Sequence, residues 1–201
     1  MLNVHFVILG AALNLIGSSS YVVLTIKGKT RPNRVTWFLW ALAPLIAFSA
    51  ELGQHVGLRS IMTFMVGFGP AMVLIASFIN RKAVWKITRL DVTCGVLSIL
   101  ALIAWGITGK GNVAIAFSIA SDLLAATPTM IKAYKEPKTE HYGVFALGTV
   151  SAIITLLTIK QWTFAQYGFP LYIALCCAAL VFLIKFPRQP KTVVATSKPS
   201  I

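Results

Sequence analysis

One carboxylate lies deep inside an apolar stretch of this chain. Asp122 is preceded by Ser118 and followed by Thr129, and offsets of four and seven residues set all three on one helix face. An acidic residue at the centre of a bilayer costs about 2.5–3.5 kcal/mol on insertion scales, so it usually has a function or a buried partner. We expect Asp122 and Ser118 to bind a small solute, with Asp122 also the candidate for proton coupling. The alternative is a structural hydrogen bond from Asp122 to Asn14 or to a backbone group.

A second polar face lies in the first half of the chain and matches the first in sequence. The segment NLIGSSSYVVLTIKGKT, which starts at Asn14, aligns with DLLAATPTMIKAYKEPKT, which starts at Asp122. Each copy is an apolar span that has a polar residue near its middle, and the span is followed by a lysine-rich loop. A duplicated membrane unit has a shared cavity at the interface of its halves. We therefore predict that Asn14, Ser18 and Tyr21 bind substrate opposite Asp122.

Trp40 and Thr149 complete the predicted substrate-binding set. An indole inside a bundle offers a flat face to a sugar ring or to a cation, and Thr149 lies in the equivalent stretch of the second half. Trp37, one turn before Trp40, is expected to anchor the chain at the membrane interface, where tryptophan is common. Glu51, near the other end of the same stretch, is expected to be solvated.

Pro44 and Pro128 interrupt apolar stretches and are candidate hinges. A proline inside a helix removes one backbone hydrogen bond and kinks the helix. Membrane helices tolerate this where a neighbour or a cavity satisfies the freed carbonyl. The pattern is equally consistent with fixed kinks and with moving hinges.

The elements that carry these residues are predicted to be membrane-spanning helices. Of the 201 residues, 57% are hydrophobic and only 11% are charged, compared with about 25% charged residues in soluble domains; the mean hydropathy is +0.81. Stretches long enough to span a bilayer, about 20 residues each, predict seven helices. They lie near 4–26, 35–54, 60–79, 91–108, 113–134, 142–160 and 168–186.

The net charge of +13 is a signal of topology rather than of nucleic-acid binding. Of the 18 basic residues, all but Arg59, Lys110 and Lys160 fall on one side of a seven-span arrangement. The positive-inside rule then predicts an external N-terminus and a cytoplasmic C-terminus, as expected for a plasma (inner) membrane protein. The lipid bilayer is the expected partner, together with a small-molecule substrate. A homo-oligomer is possible, but nothing in the sequence requires one.

The spans divide into two halves. Residues 1–90 are predicted to form a first three-helix repeat with its exit loop, and 109–186 a second repeat of the same orientation. Three spans are an odd number, so a parallel second copy needs one extra crossing, which 91–108 supplies as a linker helix. The remaining residues, 187–201, are predicted to be a disordered tail. The fold class is thus an all-α membrane protein, with two parallel three-helix bundles joined by a linker helix (3+1+3).

Signals for catalysis, cofactors and metals are weak. The segment GFGP lies within an apolar stretch and lacks the following Lys-Ser/Thr pair of a phosphate-binding loop. His5, His55 and His141 have no metal-ligand spacing, and the three cysteines have no disulfide or CxxC pattern. We therefore expect neither an enzyme nor a cofactor or metal site.

The span order and the span-to-loop junctions resemble the SWEET/PQ-loop superfamily. SIASDLLAATPTMIKAYKEPKT, starting at Ser118, resembles the fifth-span region of bacterial PQ-loop-like proteins, and KGKTRPNRVTWFLW, ending at Trp40, is similar to their first loop and second span. The Pro-Gln dipeptide of that family stands here as Pro128-Thr129. Of the central Asn and Trp residues of sugar-transporting SWEETs, this chain offers Trp40, whereas Asn80 lies at the end of its span.

The resemblance implies alternating access, in which two three-helix bundles rock about a central site. The expected function is a small-solute transporter, either a SWEET-like uniporter or a proton-coupled carrier of a sugar or another polar metabolite. A carrier of a cationic amino acid or a vitamin is the first alternative, because such a solute suits an ionised Asp122. The second is a receptor or structural membrane protein of the same architecture.

Overall fold

The computed structural model describes residues 2–80, 85–108 and 110–186. Within them the chain forms seven α-helices and two single-turn 3₁₀ segments. The helices are α1 (Phe6–Ile26), α2 (Arg34–Gly53), α3 (Ser60–Ile79), α4 (Arg89–Thr108), α5 (Gly111–Lys135), α6 (Tyr142–Leu157) and α7 (Phe164–Lys185), and the 3₁₀ turns are Gly57–Arg59 and Pro137–Thr139.

Local side-chain chemistry explains where α2 and α4 begin. Asn33 precedes α2, and its side-chain oxygen accepts from the backbone N–H groups of Val35 and Thr36 at 3.1 and 3.5 Å, as an N-cap does. Thr88 and Asp91 form a reciprocal capping box at the start of α4, in which the Thr88 N–H donates to the Asp91 carboxylate at 2.5 Å. Asp91 also lies in the first turn of α4, where a carboxylate offsets the helix dipole.

The helices pack in a repeated order. α3 packs against both α1 and α2, and α7 packs against both α5 and α6. Between these two triplets, α1 packs against α6 and α2 against α5, while α4 lies mainly on α5 and more lightly on α2. Each triplet thus contacts the other through its first and second helices.

The two ends of the bundle differ in charge and are each closed by contacts between triplets. At one end, here called the basic end, the Lys132 ammonium of α5 donates to the Arg31 carbonyl before α2 at 2.7 Å. At the opposite end, Arg59 donates to the Thr158 carbonyl after α6 at 2.6 Å, and the Leu2 N–H donates to the Leu157 carbonyl at 3.0 Å.

Five of the described helices are long and apolar enough to cross a bilayer. They are α1, α2, α3 with its preceding 3₁₀ turn, α5 and α7, and α6 is a shorter apolar helix of 16 residues. These lengths are compatible with an integral membrane protein.

The helix boundaries differ from the predicted ones mainly at two places. α6 ends at Leu157 rather than near 160, because the Thr158 N–H donates to the Thr155 carbonyl in a turn, and α7 begins at Phe164 rather than near 168. The predicted tail, 187–201, lies outside the described residues.

Candidate functional site

A small cavity lies between the two triplets, in the middle of the helices. Its volume is about 60 Å³, and its lining comes from α1, α2, α3, α5, α6 and α7. Asn14 and Asp122 both reach it, and each lies near the midpoint of its own helix. The polar side chains predicted from the two halves therefore share one cavity, although α1 and α5 are not packed on each other as α1 and α6 are.

Asp122 is the acidic group of this cavity and is 2% exposed. Its Oδ2 accepts a hydrogen bond from the Tyr172 hydroxyl of α7 at 2.6 Å, so its protein partner is not the predicted Asn14. Its Oδ1 is buried with no hydrogen-bond partner among the described residues. A buried carboxylate oxygen is costly without a donor, so Oδ1 is suited to accept from a solute in the cavity.

Asn14 and Ser18 form the wall contributed by α1. Both line the cavity, and their helix approaches α3 closely at Gly69, where an added Cβ would lie 2.2 Å from Ser18 Oγ and 3.5 Å from Asn14 Oδ1. A small residue at this crossing lets the two backbones approach, as is common between membrane helices. Gly69 thus sets the position of the α1 polar face.

An aromatic column closes the cavity toward the basic end. Trp40 and Phe145 line the cavity with ring centroids 6.0 Å apart, Trp37 meets Trp40 edge-on at 5.3 Å, and Tyr21 lies 4.7 Å beyond Trp37. The indole nitrogens of Trp37 and Trp40 are buried and have no acceptor in the described part of the chain. Trp40 is therefore placed where a ligand could stack on it or accept from it.

Three of the predicted substrate-binding residues lie outside this lining. Tyr21 is fully buried in the column and its hydroxyl donates to Glu140 Oε2 at 2.5 Å. Ser118 is buried one turn from Asp122 without reaching the cavity. Thr149 donates back to the Phe145 carbonyl at 2.9 Å, and its neighbour Gly148 lines the cavity instead.

A buried ion pair lies behind the aromatic column. Lys132 of α5 is paired with Glu140, and both side chains are almost fully enclosed. Glu140 also accepts from Tyr21, while the Lys132 ammonium lies 5.3 Å from the Trp85 ring centroid. Lys132 is enclosed in this way because α5 continues to Lys135 and carries the Lys132 side chain into the bundle.

The two candidate hinges lie in neighbouring helices. Pro44 is inside α2 and Pro128 inside α5, and these helices pack against each other. The Thr36 hydroxyl of α2 donates to the Ala125 carbonyl of α5 at 2.9 Å, close to the carbonyls that Pro128 leaves weakly bonded. Whether either proline moves stays a prediction.

Two expectations about single side chains were wrong. Trp37 is 2% exposed and lines the cavity rather than anchoring at an interface. Glu51 is 1% exposed and accepts from the Thr63 hydroxyl at 2.9 Å rather than being solvated. Both lie on the face of α2 that packs on neighbouring helices.

Sequence reasoning also missed Tyr172, the partner of Asp122. The available signal was a phenol in the middle of an apolar span, since a buried tyrosine hydroxyl usually finds a hydrogen-bond partner. Its hydroxyl oxygen is also 3.6 Å from the Cys176 sulfur, which lines the cavity.

Comparison of the chain with protein-family models, with curated proteins and with solved structures finds no match. The resemblance to the SWEET/PQ-loop superfamily therefore stays a prediction from sequence, and the functional argument depends on the cavity itself.

Proposed function

We propose that this protein is a membrane carrier of a small polar solute, not an enzyme, and that it works by alternating access to the central cavity. The observation that carries the proposal is the buried Asp122 carboxylate, which faces a cavity walled by both helix triplets and keeps one oxygen without a protein partner. A group so costly to insert is usually kept for a function.

The packing order supports a 3+1+3 architecture. α3 lies between α1 and α2 as α7 lies between α5 and α6, and the contacts of α1 with α6 and of α2 with α5 are the ones that a two-fold exchange of triplets interconverts. In this arrangement α4 is the linker. Transporter repeats of this kind bind their substrates at the repeat interface, where the cavity lies.

The size of the cavity supports a closed state of a carrier rather than a standing binding pocket. Its volume of about 60 Å³ is well below the roughly 300–1,000 Å³ of small-molecule sites. Polar contacts join the triplets at both ends, by way of Lys132 and Arg59. Binding of a sugar-sized solute would require the triplets to separate at one end at a time.

The chemistry of the lining favours a neutral or cationic solute over an anion. Among the described lining residues, Asp122 is acidic and none is basic. Lys132 is buried within the bundle, but it is paired with Glu140 and lies outside the lining. A sugar or similar solute, with or without a proton, and a cationic amino acid or vitamin both fit this charge. A receptor for an anionic terminus fits it poorly.

The basic residues support the orientation. Basic side chains of the described connections gather at one end of the bundle, with Arg59, Lys110 and Lys160 at the other. By the positive-inside rule the N-terminus is external and the basic end is cytoplasmic, as in a plasma membrane protein.

Two experiments test the proposal: the substrate is identified first, and its flux is measured afterwards. Sugars, amino acids and vitamins are screened at two pH values for stabilisation of the purified protein, because a ligand that binds the folded state raises its stability by mass action. The best ligand is then used in flux assays with proteoliposomes. We expect Asp122→Asn to abolish flux or to remove its dependence on pH.

Glu136→Gln is the matched control, since it removes one carboxylate charge from an exposed position and should transport like the wild type. Wild-type flux and unchanged pH dependence in Asp122→Asn would remove the role of Asp122. A screen in which no ligand stabilises the wild type more than Asp122→Asn would favour a structural protein.

A further inference from the structure

A second concave site lies on the outer surface of the bundle, between α2 and α4. It is a groove of about 360 Å³ whose eight lining residues are all apolar. Its walls include Phe38, Val92 and Val96, each about half exposed. The groove shares no lining residue with the central cavity of the proposed carrier, and no residue of α4 lines that cavity. The two sites are therefore separate.

The groove exists because α4 lies mainly on α5 and meets α2 at one close approach. At that point an added Cβ on Gly95 would lie 2.9 Å from a methyl carbon of Val35. Gly95 and Val35 therefore form the floor, and the larger side chains beside them form the walls. From Val92 to Leu100 the groove runs for about 12 Å along α4, which is close to the depth of one leaflet of a hydrocarbon core about 30 Å thick.

The groove opens at the basic end of the bundle. Arg89 is the first residue of α4, and Val92, Val96 and Ile99 follow it at offsets of three, seven and ten, on the same helix face. Arg89 and the nearby Lys86 are exposed, and neither has an ion-pair partner in the described residues.

Two other charged side chains near this opening, Asp91 and Arg34, are already engaged with neighbouring polar groups. The Asp91 carboxylate accepts from Asn33 at 2.5 Å on one oxygen and from Thr88 on the other. Arg34 is held by the Ser77 carbonyl and hydroxyl at 2.7 and 3.1 Å. The positive charge of Arg89 and Lys86 is thus left for a ligand.

We propose that this groove binds one anionic phospholipid, with an acyl chain along Val92, Val96 and Ile99 and the phosphate at Arg89 and Lys86. An apolar slot that ends at unpaired cations complements an acyl chain that ends at a phosphate. A second protein helix is about 10–12 Å in diameter. Because α2 and α4 are already in contact, such a helix would lie across the groove and would not fill it. The proposal depends on the membrane setting and not on transport.

The test measures lipid retention by native mass spectrometry of the full chain purified in detergent. The probes are dioleoyl phosphatidylglycerol and dioleoyl phosphatidylcholine, which have the same chains and differ in net charge. The wild type should retain phosphatidylglycerol preferentially. Removal of both cations in Lys86→Gln/Arg89→Gln should lower its affinity about 25-fold, since each basic residue near a membrane phosphate contributes about fivefold.

Two matched variants control for charge and for bulk. Lys135→Gln/Lys138→Gln removes two exposed cations from another connection at the same end and should keep the preference. Val96→Trp fills the groove and should lower retention of both lipids, whereas Ile75→Trp, on an exposed position of α3, should not. The charge variants alter only exposed side chains, so they remain informative if the tryptophan variant fails to fold.

Equal retention of the two lipids by the wild type would overturn the proposal, as would an equal loss in the Lys135→Gln/Lys138→Gln control. If Val96→Trp converts a dimer into a monomer and leaves lipid retention unchanged, the groove is instead an interface between two copies of the chain.

Discussion

The buried pair of Lys132 and Glu140 provides a demanding test of how this bundle is held together. The pair joins α5 to the connection before α6, and Glu140 also accepts from Tyr21 of α1 at 2.5 Å. Replacing Glu140 by glutamine keeps the size of the side chain and an acceptor for Tyr21. It leaves the Lys132 ammonium, whose side chain is 1% exposed, without its counter-charge.

The expected cost follows from the contacts that remain. Removing one partner of a buried ion pair typically costs 3–5 kcal/mol, because the other charge stays buried and uncompensated. Lys132 would keep the Arg31 carbonyl at 2.7 Å and the Trp85 ring at 5.3 Å, so we expect the lower end, about 3 kcal/mol. For a chain of this size that corresponds to a fall of roughly 6–12 °C in the unfolding midpoint.

The assay is thermal unfolding in detergent, with Glu136→Gln as the control. That variant loses the same charge at an exposed position four residues away and should unfold within about 0.5 kcal/mol of the wild type, as is usual for surface substitutions. The double variant Lys132→Met/Glu140→Gln should recover most of the lost stability, because no charge is then left buried. If Glu140→Gln behaves like Glu136→Gln, or if the double variant is no more stable than the single one, the reasoning is refuted.

Two further substitutions test the walls of the cavity. Gly69→Ala would set a Cβ 2.2 Å from Ser18 Oγ, so the α1–α3 contact must open; we expect a loss of about 1–3 kcal/mol, as for overpacked sites, whereas Gly106→Ala, with nothing within 4 Å, should be neutral in the same unfolding assay. Tyr172→Phe removes the hydroxyl that donates to Asp122 at 2.6 Å and should cost about 1.5–3 kcal/mol, the range for hydrogen bonds to charged groups. An unchanged midpoint for Tyr172→Phe, or an equal loss in a background that already carries Asp122→Ala and so has no side-chain acceptor, would show that this bond does not stabilise the fold.

The positions of the helices could be predicted from the sequence because apolar stretches bounded by charged and turn residues are a strong local signal. α3 begins and ends at the predicted residues, 60 and 79, and α4 was predicted within two residues of its start at Arg89. Asn14, Ser18, Trp40 and Asp122 could be singled out as well, since polar or aromatic groups within such stretches are costly or distinctive.

The partners of those residues were decided by the tertiary structure. The pairing of Asp122 with Tyr172 and of Lys132 with Glu140 joins residues from different helices or beyond a helix end, and no local spacing specifies such contacts. Hydrophobic periodicity gives little information about packing in a membrane protein. A helix face that contacts lipid is as apolar as one that packs inward, so the sequence does not distinguish the two. Trp37 and Glu51 were misjudged for that reason.

From the sequence alone one could predict that the chain forms apolar helices, the bounds of most of them to within two residues, and the polar groups that these helices contain. Only the tertiary structure decided that Asp122 and Asn14 share one cavity, that Tyr21 and Ser118 lie outside its lining, and that α2 and α4 leave an apolar groove. The physical reason is that helix formation satisfies the backbone within each segment. Cavities, ion pairs and grooves instead depend on how separate segments pack.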